Sequence, residues 1–92
     1  MTPAQRHMGR VSGIGCILCL KLDIGSSPAE VHHIGDTAAR SDYLTIPLCP
    51  EHHRGATGFH GMGERAFNAA YNTSEIKLLG LTLERLEKLR GR

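Results

Sequence analysis

Large aromatic side chains are scarce in this 92-residue chain, which has no tryptophan, two phenylalanines and two tyrosines. A chain of this length allows one domain and buries only about 60–65% of the surface that its unfolded form exposes. Such a small core usually needs disulfides, a metal ion or a partner for stability. The three cysteines are an odd number and cannot form a closed set of intramolecular disulfides. A structural zinc ion is therefore the first expectation.

Long apolar stretches are also missing. No run of residues approaches the ~18–20 that cross a bilayer, and residues 1–13 lack the apolar segment of a secretory signal. Thiols without an export signal are typical of a reducing compartment, so we expect a cytoplasmic protein without a membrane partner. The net charge of +2 permits a polyanionic partner without requiring one.

The distribution of apolar residues predicts a single α+β domain over residues 11–92, preceded by a flexible lead at residues 1–10. Two short β-prone segments, residues 30–34 and 43–48, are candidates for strands. Pro47 in the second segment excludes a regular central strand, because proline cannot donate a ladder hydrogen bond.

Helices and turns are predicted around these strands. Residues 11–24 surround a cysteine pair with glycines and are typical of a knuckle or tight hairpin. Pro50 favours the first turn of a helix, and four glycines predict a loop over residues 55–63. Residues 64–71 and 74–90 have the patterns of two C-terminal helices. The leucines of the last helix cover too broad a face for a strict coiled-coil seam, so we expect it to pack on the domain rather than to dimerise.

Two residue pairs with metal-ligand spacing are the strongest local pattern: Cys16 with Cys19, and Cys49 with His52. Two intervening residues let a tight turn, or the first turn of a helix, present both side chains to one ion. Together the pairs complete the tetrahedral Cys₃His set of a structural zinc site, and thiolates favour zinc over a hard ion. The alternative is that these are ordinary buried thiols and a surface histidine.

The other histidines are candidates for a second centre. His53 lies about 100° around a helix from His52, so it should point away from the zinc. His32 and His33 face opposite ways on a regular strand, and both serve one site only where the strand ends or bends. A metal ion held by such groups would polarise a phosphoryl oxygen, and a neutral histidine can take a proton from water. The alternative is a set of hydrogen-bonded structural or surface histidines.

Three ordered segments over residues 16–63, about half of the chain, resemble the HNH endonucleases, the ββα-metal group. The segments are CILC at 16–19, EVHHI at 30–34 and LCPEHHRG at 48–55. More narrowly, IPLCPEHHRGATGFHGMG followed by AFNAAY is similar to the phage RecA-dependent nuclease family. The resemblance implies a small zinc-stapled ββα-metal core at 16–63, followed by a helical C-terminal part at 64–92.

The resemblance also implies roles for the matched residues. His33 matches the general base that activates water, His32 and His53 match ligands of the catalytic divalent ion, and His60 is a further candidate ligand. The structural zinc set is matched by Cys16, Cys19, Cys49 and His52.

One element of the family pattern is absent. The middle asparagine of the HNH name has no counterpart, and Asp42 occupies its region as a candidate for orienting the base through its carboxylate or backbone. Arg54, next to a metal ligand, is a candidate phosphate contact, with a solvated helix end as the alternative. Further candidates for phosphate contacts are Arg6, Arg10, Arg40 and Arg65.

The activity implied by the resemblance is metal-dependent hydrolysis of DNA phosphodiester bonds inside a bacterial or phage-infected cell, with a RecA-like recombinase filament as a partner. The implied cofactors are a structural Zn²⁺ and a catalytic Mg²⁺, Mn²⁺ or Zn²⁺. The alternative function is a non-catalytic zinc module that binds nucleic acid or protein, in which His33 has no chemical role.

Overall fold

Two short antiparallel strands form the sheet around which the helices pack. In the computed structural model, which describes residues 1–35 and 40–90, β1 comprises Glu30–His33 and β2 comprises Thr45–Leu48. Glu30 pairs with Leu48 and His33 with Thr45. Both predicted strands are confirmed, and Pro47 lies in a two-stranded sheet that has no central strand.

Helices before and after the sheet complete an α+β arrangement. The predicted helices at Pro50, at 64–71 and at 74–90 are confirmed, and the last one begins with the Lys77 amide donating to Ser74 Oγ over 3.1 Å. The helices of the described residues are α1 Pro3–Gly13, α2 Ile17–Lys21, α3 Pro50–Arg54, α4 Phe59–Met62, α5 Glu64–Tyr71 and α6 Glu75–Arg90.

The N-terminal segment differs from the flexible lead predicted for residues 1–10. Thr2 Oγ1 accepts a hydrogen bond from the Gln5 amide, and Gln5 Oε1 accepts one from the Thr2 amide. This capping box, with Pro3 at the first helical position, starts α1. Val11 of α1 is fully buried, and the helix packs against β2. The lead is therefore part of the fold.

The knuckle predicted over residues 11–24 is the end of α1 followed by α2. Cys16 is the N-cap of α2, and its sulfur accepts a hydrogen bond from the Cys19 amide over 3.4 Å. A sulfur in the N-cap position satisfies a free amide of the first turn, as an oxygen does in the usual caps.

The glycine-rich stretch predicted as a loop contains the short helix α4. A Cβ atom on Gly58 would collide with the Glu51 carbonyl, and one on Gly61 would collide with the Gly55 carbonyl. These glycines are required because α4 approaches the end of α3 too closely for a side chain. The result is that His60 of α4 lies beside α3.

The hydrophobic core lies between the sheet and α2, α5 and α6. Its largest fully buried side chains are Phe67, Leu18, Ile46, Leu48 and Leu78. Burying each of these side chains stabilises the fold by about 1.5–3 kcal/mol. Among the helices of residues 1–35 and 40–90, none has the length and apolar character needed to cross a membrane. The predicted single domain over 11–92 includes 36–39 and 91–92, which lie outside the described residues.

Candidate metal centres and active site

The four predicted zinc ligands meet between two short helices. Cys16 and Cys19 lie at the N-cap and first turn of α2, and Cys49 and His52 lie at the N-cap and first turn of α3. All four side chains are buried and form one group of potential metal ligands. Each pair spans the start of a helix, which is the geometry that the two-residue spacing predicts.

The distances within this Cys₃His cluster match a tetrahedral zinc ion. His52 Nδ1 lies 3.7, 3.5 and 3.4 Å from the sulfurs of Cys16, Cys19 and Cys49, and the Cys19 and Cys49 sulfurs lie 4.0 Å apart. Tetrahedral coordination at ordinary zinc bond lengths separates sulfur from nitrogen by about 3.6 Å and two sulfurs by about 3.8 Å. The donor set therefore fits zinc in both identity and spacing.

Burial opposes ionisation of the Cys16 thiol when no cation is bound. It raises the pKa of the Cys16 thiol to about 12 and lowers the pKa of His52. A neutral imidazole is the form that binds a metal, whereas the thiols must lose protons to do so. A cation in the cluster would therefore stabilise the thiolate of Cys16.

A second cluster contains His32 of β1, His53 of α3 and His60 of α4. The candidate ligand nitrogens of the three rings all lie within 4.8 Å of one another, and the ring centroids are 4.9–5.2 Å apart. His32 is buried, His53 is half-buried and His60 is exposed. An ion held by these three groups would have protein on one side and open coordination positions on the side that faces solvent.

The geometry of the helix and of the strand explains why histidines that are adjacent in the chain do not lie in the same cluster. His52 and His53 are consecutive in α3 and lie in the Cys₃His cluster and the histidine cluster, respectively, as the angle of about 100° per residue predicts. The alternation of β1 places Glu30 and His32 on the face toward α3. His33, the last residue of β1, is directed to the other side.

Carboxylates hold two of the clustered histidines. His53 Nδ1 lies 2.9 Å from Glu30 Oε1, and His32 Nε2 lies 2.8 Å from Glu75 Oε2. Hydrogen bonds with Arg54 and then His53 lower the pKa of Glu30 to about 2, so this carboxylate is ionised at neutral pH. Carboxylate partners of this kind fix the orientation of metal-binding histidines.

The buried His32 is neutral at physiological pH. Its pKa is lowered to about 4 by burial first and by the neighbouring His53 and His60 second. Burial raises the pKa of its partner Glu75. When neutral His32 donates its Nε2–H to Glu75, the Nδ1 lone pair is left to bind an ion.

Sequence reasoning assigned no role to Glu30 or Glu75 at this cluster. Glu30 had a usable signal, because it lies two residues before His32 and so shares its strand face. Glu75 had none, since it is 43 residues from His32 along the chain.

The predicted general base does not join the histidine cluster. His33 Nε2 lies 2.9 Å from Asp42 Oδ1, and Arg40 Nη2 lies 3.3 Å from His33 Nδ1. The pairing of His33 with Asp42 is the contact expected of an orienting residue. The side chain of His33 is 20% exposed, so it can reach solvent.

Arg54 binds Glu30 with two of its nitrogens. Its Nε lies 3.0 Å from Oε1 and its Nη2 lies 2.8 Å from Oε2. The guanidinium side chain stays 65% exposed, so a phosphate contact through its other N–H groups stays a prediction. Its observed role is to hold the carboxylate that orients His53.

Comparison with known proteins gives one match. No curated protein and no solved structure matches the chain. A family model described as recombination enhancement, RecA-dependent nuclease matches residues 2–86, a span that includes α1, both clusters and most of α6. The description names an enzyme that acts on nucleic acid, in agreement with the nuclease and recombination roles that the sequence suggested. The chain therefore belongs to the recombination enhancement, RecA-dependent nuclease family.

Proposed function

We propose that this protein is a metal-dependent DNA endonuclease of the HNH type that acts together with a RecA-like recombinase filament. The observation that carries the proposal is the half-open histidine cluster, next to which His33 follows His32 along β1 and pairs with Asp42 on the other face of the strand. The element order β1, β2, α3, with the zinc-type cluster at the start of α3, supports the HNH assignment. The family description supports the nuclease activity and the recombinase partner.

The histidine cluster is the candidate catalytic metal site. Bound to His32, His53 and His60, a divalent ion would supply Lewis-acid stabilisation of the charge that develops on the phosphate. Histidine nitrogens suit zinc and other transition metals, whereas Mg²⁺ and Mn²⁺ prefer oxygen ligands and would depend on phosphate oxygens and water for most of their coordination here. The exposed side of His60 is where a phosphate would approach.

His33 is proposed to take the proton from the attacking water. Asp42 accepts the Nε2–H of the ring, which holds the tautomer with a free lone pair on Nδ1. Arg40 donates to this lone pair in the structure, so its guanidinium must turn away before His33 Nδ1 can accept a proton. A phosphate group near His33 would attract the guanidinium and free the nitrogen.

Cleavage of supercoiled plasmid tests the proposal. Wild-type protein is incubated with Mg²⁺ or Mn²⁺, with and without a RecA-like filament, beside His33→Ala. We expect nicking or linearisation by the wild type only. Circular dichroism and a bound-zinc assay establish that both proteins are folded.

Equal inactivity of the two folded proteins in both reactions contradicts the endonuclease. If both proteins then still bind DNA equally, the non-catalytic zinc module is the better description. Chelation of the added divalent ion should stop cleavage, and its failure to do so contradicts the metal dependence.

A further inference from the structure

An exposed aromatic side chain adjoins the proposed catalytic residues and has no part in the chemistry derived above. Tyr43 follows Asp42, the partner of His33, and lies just before β2. Its side chain is 50% exposed. An aromatic ring that is half in solvent beside a site of phosphate chemistry is placed to meet the substrate rather than the core.

The ring of Tyr43 is supported from behind. Its centroid lies 5.0 Å from that of His7 in α1, with an angle of 42° between the two planes. His7 lies in the segment that was predicted to be a flexible lead, and it is instead half-buried against Tyr43. A ring that is held on one side and accessible on the other is a preformed surface for stacking.

Two arginines lie near residues that contact or precede Tyr43. Arg10 follows His7 by one helical turn, and these two residues line one wall of the cleft of about 750 Å³ between α1 and α6. Arg40 contacts His33, whose partner Asp42 precedes Tyr43 in the chain. Cationic side chains together with an accessible aromatic ring are the usual composition of a single-strand binding surface.

We propose that Tyr43, supported by His7, is a stacking platform for a nucleobase of single-stranded DNA whose backbone runs from His33 toward Arg10. This inference rests on the proposed function, because it places the substrate strand at His33. Single strands are favoured because the base faces of a duplex are already covered by neighbouring base pairs. Stacking requires no base-edge contacts, so the platform tolerates any sequence.

A purely structural role for Tyr43 makes different predictions. If the ring serves only to cover His7 and α1, an aliphatic side chain of similar bulk would replace it without effect on DNA binding. If the ring stacks on a base, only another aromatic residue would replace it. Tyr43→Leu and Tyr43→Phe therefore separate the two roles.

Fluorescence reports the stacking directly, because the natural chain has no tryptophan. Tyr43→Trp introduces a single tryptophan at the platform, and Ile24→Trp introduces one at a matched control position that is 65% exposed after α2. Each is titrated with an oligothymidine single strand and with a duplex of equal length, without added divalent ion so that no cleavage occurs. We expect the single strand to quench Tyr43→Trp strongly, the duplex to quench it weakly, and neither to quench Ile24→Trp.

The affinity of the otherwise natural chain is measured by anisotropy of the labelled single strand. We expect Tyr43→Leu to bind about five- to 150-fold more weakly than the wild type, the range for loss of one base–aromatic stack. Tyr43→Phe should bind within about two-fold of the wild type, because it keeps the ring face.

The proposal is overturned if Tyr43→Leu binds as the wild type does, if the duplex quenches Tyr43→Trp as strongly as the single strand, or if both tryptophans are quenched equally. Binding and cleavage are read separately. Tyr43-dependent binding in a protein that does not nick plasmid supports the platform and contradicts the nuclease. If the wild type nicks plasmid but binds the single strand no more tightly than Tyr43→Leu does, the nuclease is supported and the platform is contradicted.

Discussion

The two ligand clusters differ in how far they are enclosed. The Cys₃His cluster has four donors, all buried, at distances that match a complete tetrahedron. The histidine cluster has three donors that pass from buried His32 to exposed His60. Structural zinc sites are closed and catalytic sites keep an open position. The difference in enclosure therefore supports the proposed division into a structural site and a catalytic site.

The largest effect is expected from removing one ligand of the Cys₃His cluster. Cys49→Ser should abolish zinc binding and unfold the protein, because structural zinc contributes about 10–16 kcal/mol in small zinc domains and this chain has few large core residues. Bound zinc and circular dichroism measure the loss. His60→Ala is the matched control from the other cluster and should keep both zinc and fold. A folded, zinc-free Cys49→Ser protein would contradict the structural role of the cluster.

The next largest effect is expected at His33, where a substitution should reduce cleavage without unfolding the protein. His33→Ala should slow plasmid nicking by about 10²–10⁴-fold, the contribution of a general base, while the unfolding midpoint changes little because the ring is partly exposed. The nicking rate and a thermal melt measure the two quantities. A variant that melts normally and nicks at the wild-type rate would show that His33 is not the base.

Replacing Glu75, the carboxylate that holds His32 of the histidine cluster, should have a moderate effect. Glu75→Gln keeps the shape of the side chain but weakens the hold on His32, so the rate or the apparent metal affinity should fall by about 10–100-fold. Titration of the nicking rate with Mn²⁺ measures it. Glu84→Gln, on the exposed surface of α6, is the control and should behave as the wild type. Equal behaviour of the two variants would remove Glu75 from the site.

The smallest effect is expected at Arg54. Its ion pair with Glu30 is exposed to solvent, and such pairs contribute little to stability. Arg54→Ala should shift the unfolding midpoint less than Glu75→Gln does, and should slow nicking less than ten-fold, the lower end of the range for loss of a carboxylate partner. A loss of cleavage as large as that of His33→Ala would instead support the predicted contact of Arg54 with phosphate.

Local spacing predicted the four members of the Cys₃His cluster, whereas the family resemblance implied the three members of the histidine cluster. Two-residue spacing gave the Cys₃His set, and the turn angle of a helix gave the separation of His52 from His53. These features depend on a few consecutive residues, whose geometry is fixed by hydrogen bonds of the backbone. The confirmed strands and C-terminal helices follow from the same short-range periodicities.

Contacts between distant segments escaped sequence reasoning. Glu75 reaches His32 only because α6 begins beside β1, and Tyr43 meets His7 only because α1 packs on the sheet. The helix α1 itself had a readable signal in the capping box of Thr2 and Gln5, which the polar composition of the segment concealed. Tertiary packing decides such contacts, and one sequence does not contain their distances.

The five-residue helix α3 supplies one histidine to each of the two clusters. Because His52 and His53 are consecutive, one residue inserted before them in α3 would turn both by about 100° in the same sense, so that His52 takes the direction of His53 and His53 leaves its cluster. Both clusters would then lose a ligand together. If zinc holds the start of α3 as proposed, a chelator that removes it should abolish cleavage, and added Mg²⁺ alone should not restore the activity. Cleavage activity would return only when zinc is added before the second ion, because α3 must first be held in place by zinc to position His53.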